Sequence, residues 1–287
     1  MKRRFLRIVK ILSVWLLIPL LLSACSPDQA VVTLAAPVNP NAPDTVAYWW
    51  NPAPGFSWQW QLDSAEVDAS QTVDVIDLDY ETDPVVIATL KEKGIHTICY
   101  ISVGSWEDWR PDADQFPEEL LGKRYRGWPG ERWLDIRRLD LLAPLLRARL
   151  DQCQQRGFDA VEPDNMDIFS NASGFPITYT EQLTFARWLA QEAHTRGLAI
   201  GQKNAPEMTA DLVDLFDFAT SEDCFAQGWC EELVPYIDAG KAVFAAEYTD
   251  TDVDFAAACL WGAAADFSFI LKNRDLDAWM QPCTDVP

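Results

Sequence analysis

The sequence predicts an α/β fold, a (β/α)8 TIM barrel in one domain, on three observations. Eight strand-like runs alternate with segments of helical spacing. Gly94, Gly157, Gly197 and Gly240 each end a helical segment shortly before the next strand, as a C-cap glycine feeding an αβ turn does. Polar residues collect at the ends of the strand-like runs, where the βα loops of a barrel carry function. The rival is an open doubly wound sheet, but no glycine-rich phosphate loop follows the first strand and no GxxxxGK[ST] motif is present.

Strands are expected at Trp58–Leu62, Val73–Leu78, Thr97–Val103, Ala160–Pro163, Leu198–Gln202, Phe216–Thr220, Val243–Ala246 and Phe267–Leu271. Each is a short β-branched or aromatic run bounded by turn formers. Helices are expected at Pro84–Lys93, Leu139–Arg156, Thr180–Arg196, Ala210–Leu215, Cys230–Ala239 and Asp252–Ala264, where apolar positions recur at helical intervals. The third strand is followed by a long loop, Gly104–Leu134.

Upstream of this pattern, residues 1–24 read as a lipoprotein signal. Lys2, Arg3, Arg4, Arg7 and Lys10 form a basic start, and Ile11–Leu22 is an apolar run too short for a comfortable membrane span. The run closes on Leu22-Ser23-Ala24-Cys25, which makes Cys25 the expected lipidation site. Residues 25–44 hold Pro27, Pro37, Pro40 and Pro43 and read as a tether, leaving 45–287 for the barrel. The expected location is the bacterial cell envelope, exported and lipid-anchored, at the outer membrane or cell surface.

Composition narrows the chemistry. The 287 residues carry a net charge of -21, from 23 Lys+Arg against 44 Asp+Glu, which argues against a nucleic-acid partner. There are two histidines, His96 and His194, and both fall before strands, at the stability end of a barrel. A Ser-His-acid triad and a Cys-His pair therefore lack their base. Six cysteines follow the leader: Cys99, Cys153, Cys224, Cys230, Cys259 and Cys283. An even number in an exported chain favours disulfides, though spacing alone does not choose among the connectivities. Cys224–Cys230 would close a short loop, Cys259–Cys283 would pin the C-terminal tail, and Cys99–Cys153 is left by elimination. No CxxC pair occurs, so no metal site is expected there.

Asp63, Asp77, Asp79, Tyr100, Glu162, Asp164, Asn165, Lys203, Asn204, Glu222, Glu247, Tyr248 and Lys272 fall at or just past strand ends. By strand alternation Glu162 shares a face with Asp164. On the sixth strand Thr220 shares one with Glu222, and on the seventh Val243 and Ala245 share one with Glu247. If those faces point inward, three strands aim carboxylates at one barrel mouth. Crowded carboxylates raise one another's pKa, so one can act as acid while its neighbour stays ionised, the division of labour that glycoside hydrolysis needs. A Mg²⁺ or Ca²⁺ site uses the same residue types, but Lys203 and Lys272 at the same mouth disfavour a cation. Lys203 as a Schiff-base lysine is a further alternative. Trp49, Trp50, Trp106, Trp109, Trp128 and Trp133 fall in expected loops, where indoles on a cleft rim stack against sugar rings.

Several of these stretches carry a resemblance: Cys99-Tyr-Ile-Ser-Val-Gly-Ser-Trp-Glu-Asp-Trp109, Phe158-Asp-Ala-Val-Glu-Pro-Asp-Asn165, Gln202-Lys-Asn-Ala-Pro206, Ser221-Glu-Asp-Cys-Phe225, Ala246-Glu-Tyr248 and Leu271-Lys-Asn-Arg-Asp-Leu-Asp-Ala-Trp279. Together they resemble glycoside hydrolase family 114, from about Trp58 to Cys283. The resemblance implies a (β/α)8 barrel, endo-α-1,4-polygalactosaminidase activity, and catalytic carboxylates after the fourth and sixth strands, at Asp164 and Glu222. The expected roles are Asp164 as nucleophile and Glu222 as acid and then base, in a retaining scheme, with Glu162 as an orienter. Asp63, Asp77, Asp79, Tyr100, Asn165, Lys203, Asn204, Glu247, Tyr248, Lys272 and Trp106 are the expected sugar contacts. No cofactor is expected. The expected partners are a galactosamine-containing polysaccharide and, through the lipid, a membrane. The alternative is a glycan-binding lipoprotein on the same barrel that does not cut.

Overall fold

The computed structural model describes residues 48–63 and 67–285. The leader, the tether and Cys25 lie outside the described residues. Twelve strands are described: β1 (Trp58–Gln61), β2 (Val75–Asp79), β3 (His96–Ser102), β4 (Ser105–Glu107), β5 (Leu121–Arg124), β6 (Glu131–Leu134), β7 (Ala160–Asp164), β8 (Ala199–Lys203), β9 (Phe218–Glu222), β10 (Val243–Tyr248), β11 (Ser268–Lys272) and β12 (Met280–Pro282). One sheet runs β1-β2-β3-β7-β8-β9-β10-β11-β12, parallel throughout except for the antiparallel β12. Side chains join its first strand to its eighth: the Trp58 indole donates to the Ser268 carbonyl at 2.8 Å, and Lys272 Nζ donates to Gln59 Oε1 at 2.9 Å. This is the barrel that the alternating pattern predicted.

The helices are α1 (Pro84–Glu92), α2 (Leu139–Arg156), α3 (Tyr179–Thr195), α4 (Thr209–Leu212), α5 (Cys224–Gln227), α6 (Val234–Asp238) and α7 (Phe255–Ala265). Local chemistry fixes their ends. Asp83 caps α1, with Pro84 at its first position, and Thr178 and Glu181 form a reciprocal capping box on α3. Gly157 ends α2 at φ 93°, a left-handed conformation that strains any side chain. The expected helix at 230–239 is a 3₁₀ turn, Cys230–Leu233, followed by the short α6, and Pro235 falls at the start of α6, where a missing N–H costs no helical bond.

Two cores result. Inside the barrel, Trp58, Trp60, Val75, Ile98, Ala160, Ala199, Phe218, Phe244, Ala246 and Ile270 fill the lower lumen. Gly201 makes room for Phe218, since a Cβ there would stand 2.3 Å from the ring. Outside, the other faces of the same strands pack under the helices. Three disulfides, Cys99–Cys153, Cys224–Cys230 and Cys259–Cys283, tie β3 to α2, close the loop after β9, and fasten the tail to α7. The stretch after β3 is no plain loop: β4, β6 and β5 form a small antiparallel sheet over the barrel mouth.

At the other end, Trp49 stacks on His194 at 3.9 Å and Trp50 on His96 at 4.4 Å. His194 Nε2 also lies 2.9 Å from Asp217 Oδ2. Both histidines are packing elements, His96 at the start of β3 and His194 in the last turn of α3. Both tryptophans are therefore removed from the cleft rim where the loop pattern placed them.

Candidate active site

The C-terminal ends of the barrel strands open into a cavity of about 1000 Å³. Asp164 ends β7 and Glu222 ends β9, and both point into it. Each strand turns at once into a left-handed residue: Asn165 at φ 65°, Asn204 at 46° after β8, and Asp223 at 54°. Asn and Asp tolerate this conformation best, and such strain gathers where a side chain must be aimed. Gly104 packs on the first of these turns, where a Cβ would stand 1.8 Å from the Asn165 carbonyl oxygen.

Lys203, at the end of β8, organises the floor. Its ammonium lies 3.2 Å from Glu162 Oε1, 3.6 Å from Asp164 Oδ1 and 3.2 Å from Glu222 Oε2, and 4.2 Å above the Trp60 ring. The lysine side chain is 2% exposed, whereas Asp164 and Glu222 keep 21% and 27% of theirs open to the cleft. Tyr100 donates its hydroxyl to Asp164 Oδ2 at 2.9 Å. Glu222 accepts from Asn204 Nδ2 at 3.1 Å and from the Tyr248 hydroxyl at 2.5 Å. Burial works to raise the Glu222 pKa, but the Lys203 charge and these two hydrogen bonds outweigh it and hold the carboxyl below its ordinary range. Burial keeps Glu162 up at about 7 despite the lysine, with the charges of Asp164 and Glu222 adding to the rise.

Eight of the expected site residues line this cleft: Asp63, Asp79, Tyr100, Asp164, Asn165, Lys203, Asn204 and Glu222. Six do not: for Asp77, Tyr248, Glu247, Lys272 and Trp106 this corrects the expected sugar contacts, while Glu162, expected as an orienter, lies beside Lys203. Asp77 and Glu162 point inward but are fully buried beneath the floor. Tyr248 is buried and reaches the site through Glu222. Glu247 faces out of the barrel, where it accepts the N–H groups of Phe225 and Ala226 at the start of α5. Lys272 is spent on Gln59 Oε1 and on the carbonyls of Asp277 and Trp279, and burial lowers its pKa to about 8. Trp106 donates to the Ala113 carbonyl and packs against the outer core. Of the loop tryptophans, Trp109 and Trp128 line the cleft, 52% and 51% exposed, while Trp133 is buried under Tyr125.

The small sheet supplies residues that the sequence reading missed. Arg110 lines the cleft and binds Glu107, Asp79 and Glu81. Tyr125 and Glu131 come from the same sheet region, and Arg274, just past β11, lies over the Tyr248 ring at 3.7 Å. Burial raises Glu131 to about 7, against its hydrogen bond from Ser105 and with help from the charges of Glu107 and Asp164. A carboxyl raised in the fold stabilises it fully below the unfolded pKa, and that contribution is lost as pH climbs through about 7. The thermal midpoint is therefore expected to fall from pH 5 to pH 8, and by a few degrees less in Glu131→Gln, a difference worth about 1–3 kcal/mol. Parallel curves for the two proteins would contradict this assignment.

A barrel with two carboxylates sharing one ammonium at its mouth, beside exposed indoles, has the makings of a glycosidase. Residues 39–286 match the glycoside-hydrolase family GH114, and the chain belongs to that family. It is 34% identical to Ega3 of Aspergillus fumigatus, solved in complex with galactosamine, over 82% of this chain and 98% of that one, with a TM-score of 0.78. The glycoside hydrolase domain of PelA from Pseudomonas aeruginosa shares the fold at 17% identity, over 80% of this chain and 98% of that one, with a TM-score of 0.61. No curated protein sequence matches the chain.

Proposed function

We propose that this enzyme is an endo-acting, retaining hydrolase of α-1,4-linked galactosamine/N-acetylgalactosamine polysaccharide, held on the bacterial cell envelope by lipid on Cys25. One observation carries the chemistry: Asp164 and Glu222 bind the same Lys203 nitrogen from within one open cleft. Their nearest oxygens are separated by no more than the sum of those two distances. That limit accommodates the roughly 5–5.5 Å separation of a retaining pair.

In the first step Asp164 attacks the anomeric carbon while Glu222 gives its proton to the leaving oxygen, forming a glycosyl ester and a shortened chain. In the second, water attacks the anomeric carbon, Glu222 takes the water's proton, and the bond from that carbon to Asp164 breaks so that the carboxylate leaves. Tyr100 donates to Asp164 Oδ2 and Lys203 lies 3.6 Å from Oδ1, which fixes the direction from which the carboxylate meets the anomeric carbon. The substrate follows from the likeness to Ega3 and from the acidic lining, which suits the ammonium groups of an unacetylated galactosamine chain. Lipid attachment rests on Leu22-Ser23-Ala24-Cys25 alone. Among the described residues no helix is long and apolar enough to cross a membrane.

The test is NMR of the first-formed product from a defined α-1,4-galactosamine oligomer. The α anomer should appear first, with internal bonds cut. A β anomer first would mean inversion, and tight binding without cleavage would identify a glycan-binding protein.

A further inference from the structure

Lys203 is one cation facing Glu162, Asp164 and Glu222, and a fourth carboxyl, Asp77, lies next to Glu162. Both Glu162 and Asp77 are fully buried, and Glu162 meets the Lys203 ammonium at 3.2 Å. Among the described residues Lys203 is thus the one cation within ion-pair distance of Glu162, and it divides its charge between a carboxyl below the floor and two above it. This poses a difficulty for the proposed reaction. Glu222 must carry a proton to the leaving oxygen, yet Lys203, Asn204 and Tyr248 all favour its ionised form. Whatever draws the lysine downward returns proton affinity to Glu222, and Glu162 is placed to do so.

We infer that Lys203 and Glu162 are positioning residues that set, in opposite senses, how readily Glu222 holds the proton it donates. The inference rests on the reading of Glu222 as the acid. When Glu162 is ionised, it competes for the ammonium and repels a negative Glu222. When Glu162 is neutral, the whole charge of Lys203 falls on the pair above. Burial pushes Asp77 well up, and it is Glu162, not Asp77, that touches the Lys203 ammonium and competes for it. The other charged or titratable groups that bear on Glu222 are Asp164 from β7, Tyr248 from β10, Tyr125 from the small sheet, and Arg274, with its partners Asp223 and Asp250, beyond Tyr248. None of these is altered in the test.

The test is the pH profile of kcat/KM on a galactosamine oligomer, whose basic limb reports the acid in the free enzyme. Glu162→Gln should move that limb by about one unit to lower pH, and Lys203→Met by about one unit to higher pH, the scale set by a charge 4–6 Å away. Lys203→Arg keeps the charge and should leave the limb near its wild-type position. Shifts in one direction, or none, overturn the inference. If Lys203→Met does not fold, the near-isosteric Glu162→Gln decides alone, and an unmoved limb overturns it. Normal turnover by Glu222→Gln would instead overturn the reading of Glu222 as the acid, which separates the two failures.

Discussion

Asp164→Ala is expected to lower kcat on galactosamine polymer by at least about 10³-fold, and Glu222→Ala by about 10²–10⁴-fold, with folding retained in both. The two losses differ in kind. Without Asp164 the anomeric carbon has no nucleophile, and Lys203 and Tyr100 are left facing the space it occupied. Without Glu222 the leaving oxygen departs unprotonated, so a substrate with an acidic leaving group should recover much of the rate of the first step, seen in kcat/KM, while hydrolysis of the ester stays slow; Asp164→Ala should recover neither. Both side chains are partly open to the cleft, so their removal takes little from the core. Thermal melting beside steady-state kinetics checks this. Near-normal turnover in either variant removes that residue from the assignment.

The largest loss of stability is expected at Arg149, far from the reacting atoms. This arginine of α2 is fully buried. Its Nε and Nη2 donate to the two oxygens of Asp112, each at 2.8 Å, and its Nη1 donates to the Ser102 carbonyl at 2.8 Å. Glu107 lies 3.7 Å away and is itself held by Arg110, which also grips Asp79. The network pins the small sheet and its following turns to the ends of β2 and β3. Arg149→Met fills much of the volume but leaves Asp112 and a buried carbonyl without their donors, at a cost of about 3–5 kcal/mol. For a domain of this size that is a drop of about 10 °C in thermal midpoint. Arg147, two residues earlier, pairs with Glu192 at 2.6 Å but is half exposed, so Arg147→Ala should change stability by under about 1 kcal/mol. Calorimetry on the two variants decides, and a midpoint for Arg149→Met within about 2 °C of wild type would contradict the argument.

How far the sequence carried the fold depends on what kind of signal each residue sends. The barrel was legible because parallel strands and their helices alternate in segments long enough to count, and the glycines at 94, 157, 197 and 240 all take the positive φ that a helix-to-strand turn asks of them. The clustering of polar residues at strand ends located the mouth, and with it Asp164, Lys203, Asn204 and Glu222. The direction of a face was not legible. In β10 the inward residues are Phe244, Ala246 and Tyr248, while Val243 and Ala245 join the outer core. Both sides of a strand in a parallel barrel are apolar, so alternation finds two faces without saying which is inside, and Glu247 was turned the wrong way.

Depth was equally hidden. Asp77 and Asp79 share the inner face of β2, yet two residues of rise separate a buried carboxyl from one at the cleft. The tryptophans were a partial guide: Trp109 and Trp128 line the cleft, but indoles fill the bottom of a barrel as readily as they line a rim, and Trp49, Trp50, Trp106 and Trp133 pack elsewhere. Arg110 and Glu131 sat inside what read as one long loop, and only the pairing of β4 with β6 brings them over the site. Arg274 follows Asn273 directly after β11, so strand-end placement was a signal for it as well.

The most direct test of the paired-carboxylate account is to trap the covalent glycosyl-enzyme. Glu222→Gln, given an activated galactosaminyl substrate whose leaving group needs no acid, should form the ester quickly and hydrolyse it slowly. Peptide mass spectrometry should then show one galactosaminyl unit added to the peptide holding Asp164. An adduct on another residue, or turnover of the activated substrate with no adduct and an inverted product, would contradict it.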